Sequence, residues 1–367
     1  MRKAGKVIGI VLLALILVVV IYAAYVMLSY HRIEDKQMLA VDAPAAKETD
    51  MPEIAAKKQE FTIVTANVGF GAYDQEFDFF MDGGTQSWGK SKERVRENIT
   101  GMLAEIKKAD PDFLLLQEVD TDGTRSYHIN QYEMVREALP EYATVFAQNY
   151  DSAFLFWPLY QPHGKNQAGI VTAADTAIES GLRRSLPISE SFSKFLDLDR
   201  CYSISRLPVD DGRKLVLFNV HLSAYGVDTD ILNAQRNMLY EDMAAEYAAG
   251  NYVIAGGDFN HDMVGDSASR FENAADEAAS WAKQFDFASI PEGFTLGSKK
   301  LADEGVSDMA ATCRDAGRAY DGTNDCWVLD AMIWSDNVEM LEYGTLDLDF
   351  RFSDHNPVQM KFRLRSE

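Results

Sequence analysis

The chain of 367 residues contains only three cysteines, and no two of them form a Cys-x-x-Cys pair. So small a number excludes a disulfide-built scaffold, and no His-x-x-x-His spacing suggests zinc either. Basic residues are also scarce: 35 Lys and Arg face 57 Asp and Glu, a formal charge of −22. The first 36 residues hold five basic and two acidic side chains, so the remainder carries 30 against 55, a charge of −25. A surface this acidic repels polyanions, because sequence-independent nucleic-acid affinity comes mainly from Lys and Arg displacing counterions. It counts against a tight nuclease without excluding one, since a local basic groove or bound divalent ions offset a global field. Internal repeats are lacking as well, so the residues after the first 60 read as one domain with a single large core.

Charge is absent altogether from Val7 to Ser29, a run of mostly Val, Ile, Leu and Ala. It is long enough to cross a hydrocarbon core of roughly 30 Å as a helix. Arg2, Lys3 and Lys6 precede it, which predicts a cytoplasmic tail (1–6), a membrane-spanning signal anchor (7–29) and an extracytoplasmic remainder. His31, Arg32 and Lys36 weaken that asymmetry without reversing it. A cleaved signal peptide is the rival reading, with Ala23-Ala24 as its small-residue site, but its apolar core would be shorter. Residues 30–60 are polar, without a sustained apolar period, and read as a tether or weak helix leading to a domain over 61–367. The expected location is a single-pass position in the cell membrane.

Five short segments each join a strand-like apolar run to a polar group able to hold a divalent metal or a phosphate. They end in Asn67, Glu118, His221, the Asp258-Phe259-Asn260 triplet, and Asp354-His355. A hard carboxylate, amide oxygens and histidines are what metal-assisted phosphoester hydrolysis requires. Taken singly, Glu118 reads equally as a solvated strand end and His221 as a structural histidine. Gly256-Gly257 lets the backbone turn sharply and brings Asp258 and Asn260 into a cleft. Asp354 and His355 are adjacent and locked by Pro357, with helix capping by Asp354 as the plainer alternative.

The order and flanks of these segments resemble the endonuclease/exonuclease/phosphatase superfamily, which includes deoxyribonuclease I-like nucleases, neutral sphingomyelinases and inositol polyphosphate 5-phosphatases. The resemblance covers roughly Phe61 to Leu364 and suggests a membrane-anchored, bacterial-type member. It implies that Asn67 and Glu118 bind a catalytic Mg²⁺, with Mn²⁺ as a possible substitute and Asp354 as a further metal ligand. It also implies that His221 contacts the scissile phosphate, that Asp258 and Asn260 position the attacking water and the transition state, and that Asp330 orients His355. Arg200 would add a fixed positive charge, as in some relatives, or make an ordinary strand-end salt bridge. Two departures stand out. Gly69 replaces a second acidic group of the exonuclease-like branch, and the tyrosine of that branch is not evident near Lys165 to Thr172, where Asn166 or Lys165 would substitute as a phosphate contact or the segment is a plain loop. An abasic-site nuclease is therefore disfavoured.

Apolar, β-branched runs predict strands over Phe61–Asn67, Phe113–Gln117, Tyr142–Ala147, Gly169–Ala173, Cys201–Leu207, Lys214–Val220, Tyr252–Ala255, Val328–Trp334 and Val358–Leu364. Helices are expected after Ser91, ending before Pro111, and from Thr229 to Ala249, stopped by Gly250. The expected fold is α/β (α+β): a four-layer sandwich of two packed, mixed but largely antiparallel sheets flanked by helices, preceded by one transmembrane helix. Cys313 and Cys326 either close a disulfide in an oxidising exterior or stay free, and Cys201 is a buried filler. Aromatics in Ala72–Lys90 and Phe154–Tyr160 grip a lipid or base, rest on the bilayer, or anchor their loops to the core; Asp262–Asn324 is an expanded connection. The functional expectation is a membrane-anchored Mg²⁺-dependent phosphoesterase acting on a lipid headgroup or small phosphoester. An exported nuclease and a catalytically silent binding ectodomain are the alternatives.

Overall fold

The computed structural model describes residues 2–45, 51–54, 60–195, 197–224, 228–273 and 281–365. Two seven-stranded sheets form its centre. In spatial order the first runs Gln37–Leu39, Ser180–Ser185, Cys201–Pro208, Lys214–His221, Tyr252–Asp258, Asp330–Ser335 and Phe294–Leu296. The second runs Val338–Thr345, Val358–Leu364, Phe61–Asn67, Phe113–Gly123, Asn166–Ala174, Ala143–Asp151 and Val41–Asp42. Each sheet has one parallel pair at its centre, Lys214–His221 beside Tyr252–Asp258 and Phe61–Asn67 beside Phe113–Gly123, with antiparallel strands outside. The predicted α+β sandwich of two mixed sheets with flanking helices is therefore the fold.

Strand periodicity explains the layers. Ile63, Phe113, Leu115, Met360 and Phe362 of the second sheet meet Leu215, Leu217, Tyr252, Ile254 and Met332 of the first in a buried core. The opposite face of the second sheet takes Ile99, Met102, Leu103 and Ile106 from the helix Lys92–Lys107, capped where Ser91 Oγ accepts from Arg94 N at 3.1 Å. The outer face of the first sheet takes Leu239, Tyr240 and Met243 from the helix Thr229–Ala248. A polar bridge crosses the sheet interface where Gln117 Nε2 donates to Asn219 Oδ1 at 2.8 Å, and Asn219 Nδ2 donates to Leu116 O and Val171 O. These fully satisfied amides fix how the sheets slide against each other, just beneath the edge where the polar strand ends lie.

Parts of the 30–60 segment differ from the expected tether or weak helix. Gln37–Leu39 and Val41–Asp42 are edge strands, one on each sheet, and Arg183 fastens the chain before them by donating to Ile33 O and Glu34 O. Strands of two or three residues leave no periodic signal, so only tertiary pairing reveals them. The polar runs 46–50 and 55–59 lie outside the described residues. The open cysteine alternative resolves to free thiols. Cys313 lies opposite Trp327 and Cys326 opposite Arg314 in a two-stranded ribbon, so the two sulfurs point to opposite faces and cannot meet. The N-terminal helix spans Arg2–Ser29, and most of its apolar side chains are exposed; it is long and apolar enough to cross a membrane.

Candidate active site

The functional strand ends gather on one edge of the sandwich because parallel central strands present the same end. Asn67 and Glu118 come from the second sheet, and His221, Asp258 and Asp330 from the first. Local backbone shape then aims them. A register shift between Leu116 and Val119 and a left-handed Glu118 (φ 57°) turn its carboxylate towards the cleft. Asn260 is also left-handed (φ 52°), and its N–H donates to Asp258 Oδ1 at 2.9 Å. Gly257 is required for the approach of its strand to the neighbour, since a Cβ there would lie 1.9 Å from Val220 O.

Asn67 joins the two sheets' contributions: its Nδ2 donates to Asp258 Oδ2 at 3.1 Å and to Glu118 Oε1 at 3.3 Å. Its Oδ1 accepts from Gly69 N, and Ser353 Oγ donates to its main-chain oxygen at 2.9 Å, which ties in the Asp354–His355 segment. His221 Nε2 lies 3.6 Å from Asp258 Oδ2 and 3.9 Å from Glu118 Oε1. His355 Nδ1 meets Asp330 Oδ2 at 2.7 Å, and its Nε2 lies 3.9 Å from Asp258 Oδ2. Asp330 is fixed in turn where its N–H donates to Thr312 Oγ1. His221, Asp258, Asp330 and His355 are all buried.

The two histidines are tuned apart. Burial and the positive charge of Arg200 hold His221 well below its usual range, so it is neutral. Burial is the largest single influence on His355 and opposes its charge, but Asp330, Cys313 and Asp258 together outweigh it and raise the pKa well above the ordinary value. Burial and the charge of Asp330 raise Asp258 above the usual carboxylate range, against opposing contributions from His355 and the Asn260 and Asn67 donors. Asp354 is pushed up to about 7, chiefly by burial, with Glu118 and Asp82 adding repulsion.

That excess negative charge bears on metal binding. Asp258, Asp330 and His355 form a possible metal site, their ligand atoms all within 4.8 Å of one another. Asp330 Oδ1 is buried and has no hydrogen-bond partner among the described residues. Glu118 and Asp354 add carboxylates on the side facing Asn67. Crowded carboxylates with an amide oxygen nearby are an oxygen-donor set suited to a hard divalent cation, which would relieve the repulsion that adds to burial at Asp354.

Arg200 is buried beside this cluster, and its Nε and Nη1 have no partner among the described residues. Its electrostatic reach to His221 follows from topology: it precedes Cys201, and Tyr202 pairs with Val220. Asn166 is fully buried with both ends of its amide committed to backbone, Nδ2 donating to His163 O and Oδ1 accepting from Arg125 N. It acts here as a clamp on the Arg125 turn. Lys165 is exposed, 3.8 Å from Asp151. The absence of an acidic residue at position 69 has a steric reason: Gly69 has φ 50°, and a Cβ would meet Tyr73, Ser353 and Asp354 at 2.9–3.2 Å.

Sequence reasoning missed Arg125 and Tyr73. Arg125 is buried, bonded through Nη2 to Asp120 Oδ1 at 2.7 Å and stacked 3.9 Å over the Phe70 ring; its charge reaches His221 and Tyr73. Tyr73 is buried where Asp354 and Glu118 add to burial in raising its pKa. Neither has a local signature beyond an Asp120–Arg125 charge pairing within a polar run, which reads as an ordinary turn.

The chain matches the endonuclease/exonuclease/phosphatase family over residues 64–355, a span that contains every one of the five segments. It belongs to that family. Solved structures with the same fold include an endonuclease/exonuclease/phosphatase from Beutenbergia cavernae, 16% identical, with a TM-score of 0.53 over 84% of this chain and 72% of that one. The human Nocturnin catalytic domain is 19% identical, with a TM-score of 0.53 over 88% and 98% of the two chains. ANGEL2, a 2',3'-cyclic phosphatase bound to adenosine-2',3'-vanadate, is 16% identical, with a TM-score of 0.56 over 87% and 100%. At these identities the likeness concerns the fold alone. No curated protein matches the chain. Within the family fold, the site is built where the central strands of both sheets end together.

Proposed function

We propose that this protein is a membrane-anchored, Mg²⁺-dependent phosphoesterase whose catalytic domain lies outside the cytoplasm and whose substrate is a lipid headgroup or small phosphoester. The observation that carries the reading is the joined array in which Asn67 bonds both Glu118 and Asp258, with His221 and the Asp330–His355 pair around the same Asp258 carboxylate. Family membership supports phosphoester chemistry, and a 2',3'-cyclic phosphatase is among the structures of the same fold. The anchor reading rests on the apolar helix.

Asn67, Glu118 and Asp354 would hold Mg²⁺, which when bound neutralises charge on the phosphoryl oxygens. The chain's own groups do the rest. Asp258, fixed by the Asn260 N–H and by Asn67, orients the attacking water and accepts its proton as oxygen attacks phosphorus and the ester oxygen leaves. Neutral His221 and the unpartnered edge of Arg200 offer donors to the phosphoryl oxygens. His355 stays charged beside Asp330 and stabilises the negative charge that builds in the transition state. Nothing in this array selects the ester, since substrate choice is a property of the surrounding loops.

The test is hydrolysis by the purified full chain, with Mg²⁺ or EDTA, of sphingomyelin, phosphatidylinositol phosphates, DNA, RNA and aryl phosphoesters. Turnover that needs the divalent ion and is lost in His221→Ala and Asp258→Ala is expected. Turnover confined to nucleic acids would select a nuclease instead; none on any substrate, or equal rates in the variants, would select a silent binding domain.

A further inference from the structure

The loop from Phe154 to Tyr160 exposes Phe156, Trp157, Leu159 and Tyr160, each half or more open to solvent. Four large apolar or aromatic side chains on one loop are an unusual surface for water to cover. The same loop grips the N-terminal helix. Tyr22 Oη donates to Phe154 O at 3.0 Å, Phe154 N donates to Tyr25 Oη at 3.2 Å, and the rings of Tyr22 and Phe156 pack edge to face. Tyr22 and Tyr25 lie roughly 10 and 6 Å below Ser29 along the helix axis, at about 1.5 Å per residue. If the apolar helix spans a bilayer, those contacts leave the loop no position except the interfacial layer, where aromatic rings with a polar tip partition.

The helix also leaves the domain at the catalytic edge. Ile33 N donates to Asp199 Oδ2 at 2.5 Å and Arg32 lies 3.5 Å from Asp199 Oδ1, immediately before Arg200. On the loop's other side, Tyr160 Oη donates to Thr85 O and Trp88 Nε1 to Pro162 O, while Gly89 N donates to Arg125 O. Anchor and loop are thus bonded to the two segments that carry the site's arginines.

We propose that the Phe154–Tyr160 loop inserts into the membrane interface beside the anchor and holds the catalytic edge against the lipid surface, so that the ester cleaved is one presented at that surface. The docking rests on the membrane reading of the helix, and the substrate class rests also on the phosphoesterase reading. Two measurements separate them. In the first, the full chain is reconstituted in phosphatidylcholine vesicles with bromine near the headgroup end of the acyl chains. Tryptophan emission is expected to be quenched, and the quenching reduced in Trp157→Phe. Equal quenching of the two proteins, or release of the chain by alkaline carbonate, overturns the docking whatever the catalytic outcome.

In the second, a Trp157→Ser, Leu159→Ser variant is compared with wild type on a vesicle-borne phosphodiester and on a soluble aryl phosphodiester. A several-fold loss on the vesicle-borne ester alone is expected. Equal loss on both, or on neither, overturns the surface-presented substrate. Absence of turnover by the wild type on every ester overturns the phosphoesterase reading and with it the substrate class, while the quenching still decides the docking.

Discussion

The strand Phe113–Gly123 is acidic along its catalytic half and acidic again beyond its other end, yet the two regions do different things. Towards the catalytic edge, Glu118 faces Asp258 across Asn67, with two histidines and a buried arginine among the carboxylates. At the far end Asp110, Asp112 and Asp175 crowd one another with no imidazole or guanidinium bonded to them among the described residues; Thr62 N donates to Asp112 Oδ2, and Asp175 N–H to Asp112 O. Carboxylate crowding is therefore not what makes a site in this molecule. What distinguishes the end proposed as catalytic is burial with interleaved histidines and arginine, which gives its acids unlike surroundings.

The sharpest way to break the comparison is to remove an interleaved donor. His355→Ala deletes the partner of Asp330 and the charge nearest Asp258, and is expected to lower kcat by about 10³-fold with little change in KM. Asp258→Asn should fall as far, whereas Asp110→Asn at the other end should leave kcat unchanged. Steady-state kinetics on whichever ester proves active decides it, and a large loss in Asp110→Asn would erase the distinction between the ends.

Next in size is the buried apolar stretch of the strand that lies between the two acidic ends. Leu115 is fully buried between the sheets, so Leu115→Ala is expected to cost about 2–5 kcal/mol of unfolding free energy, read by denaturant titration. Smaller again is Glu118→Gln, which keeps the shape but removes one negative charge. It should raise the half-saturating Mg²⁺ concentration at least about tenfold and leave thermal stability near wild type. An unchanged Mg²⁺ requirement would move the metal away from Glu118 towards the Asp258, Asp330 and His355 cluster.

These residues also show which features a sequence makes legible. Strands with continuous or alternating apolar runs, such as Phe61–Asn67 and Val358–Leu364, are visible because their periodicity is set by burial. Ser180–Ser185 is not, since its centre is Arg183, a fully buried cation that reads as surface until its bonds to Gln148 O, Ile33 O and Asp199 O are known. The strand-end polar groups are legible because each sits on a recognisable run. Arg125 reaches the site from a turn held by Asp120 and Asn166, and only tertiary structure brings it there. The register of the two sheets, set by Gln117 and Asn219, is likewise a long-range property that no local pattern encodes.

The far end supplies the last and smallest test. Burial, then repulsion from Asp112 and Asp110, pushes the Asp175 carboxyl up to about 7, above the roughly 3.9 of an unfolded aspartate. A carboxyl whose folded pKa is raised binds its proton more tightly in the native state. Its contribution to stability is therefore present below pH about 4 and lost as the pH rises through about 7. Asp175→Asn removes that loss, so the thermal midpoint of the variant should gain on wild type between pH 5 and pH 8. More than a third of Asp175 is nevertheless open to solvent, which weakens both the burial and the repulsion, and screening keeps the gain below about 1 kcal/mol. A flat difference across that pH range would mean that neither burial nor repulsion raises the Asp175 carboxyl appreciably. A gain accompanied by unchanged kcat would show that acids brought together without interleaved histidines and arginine only destabilise the fold, in contrast to the same residue type at the proposed catalytic edge.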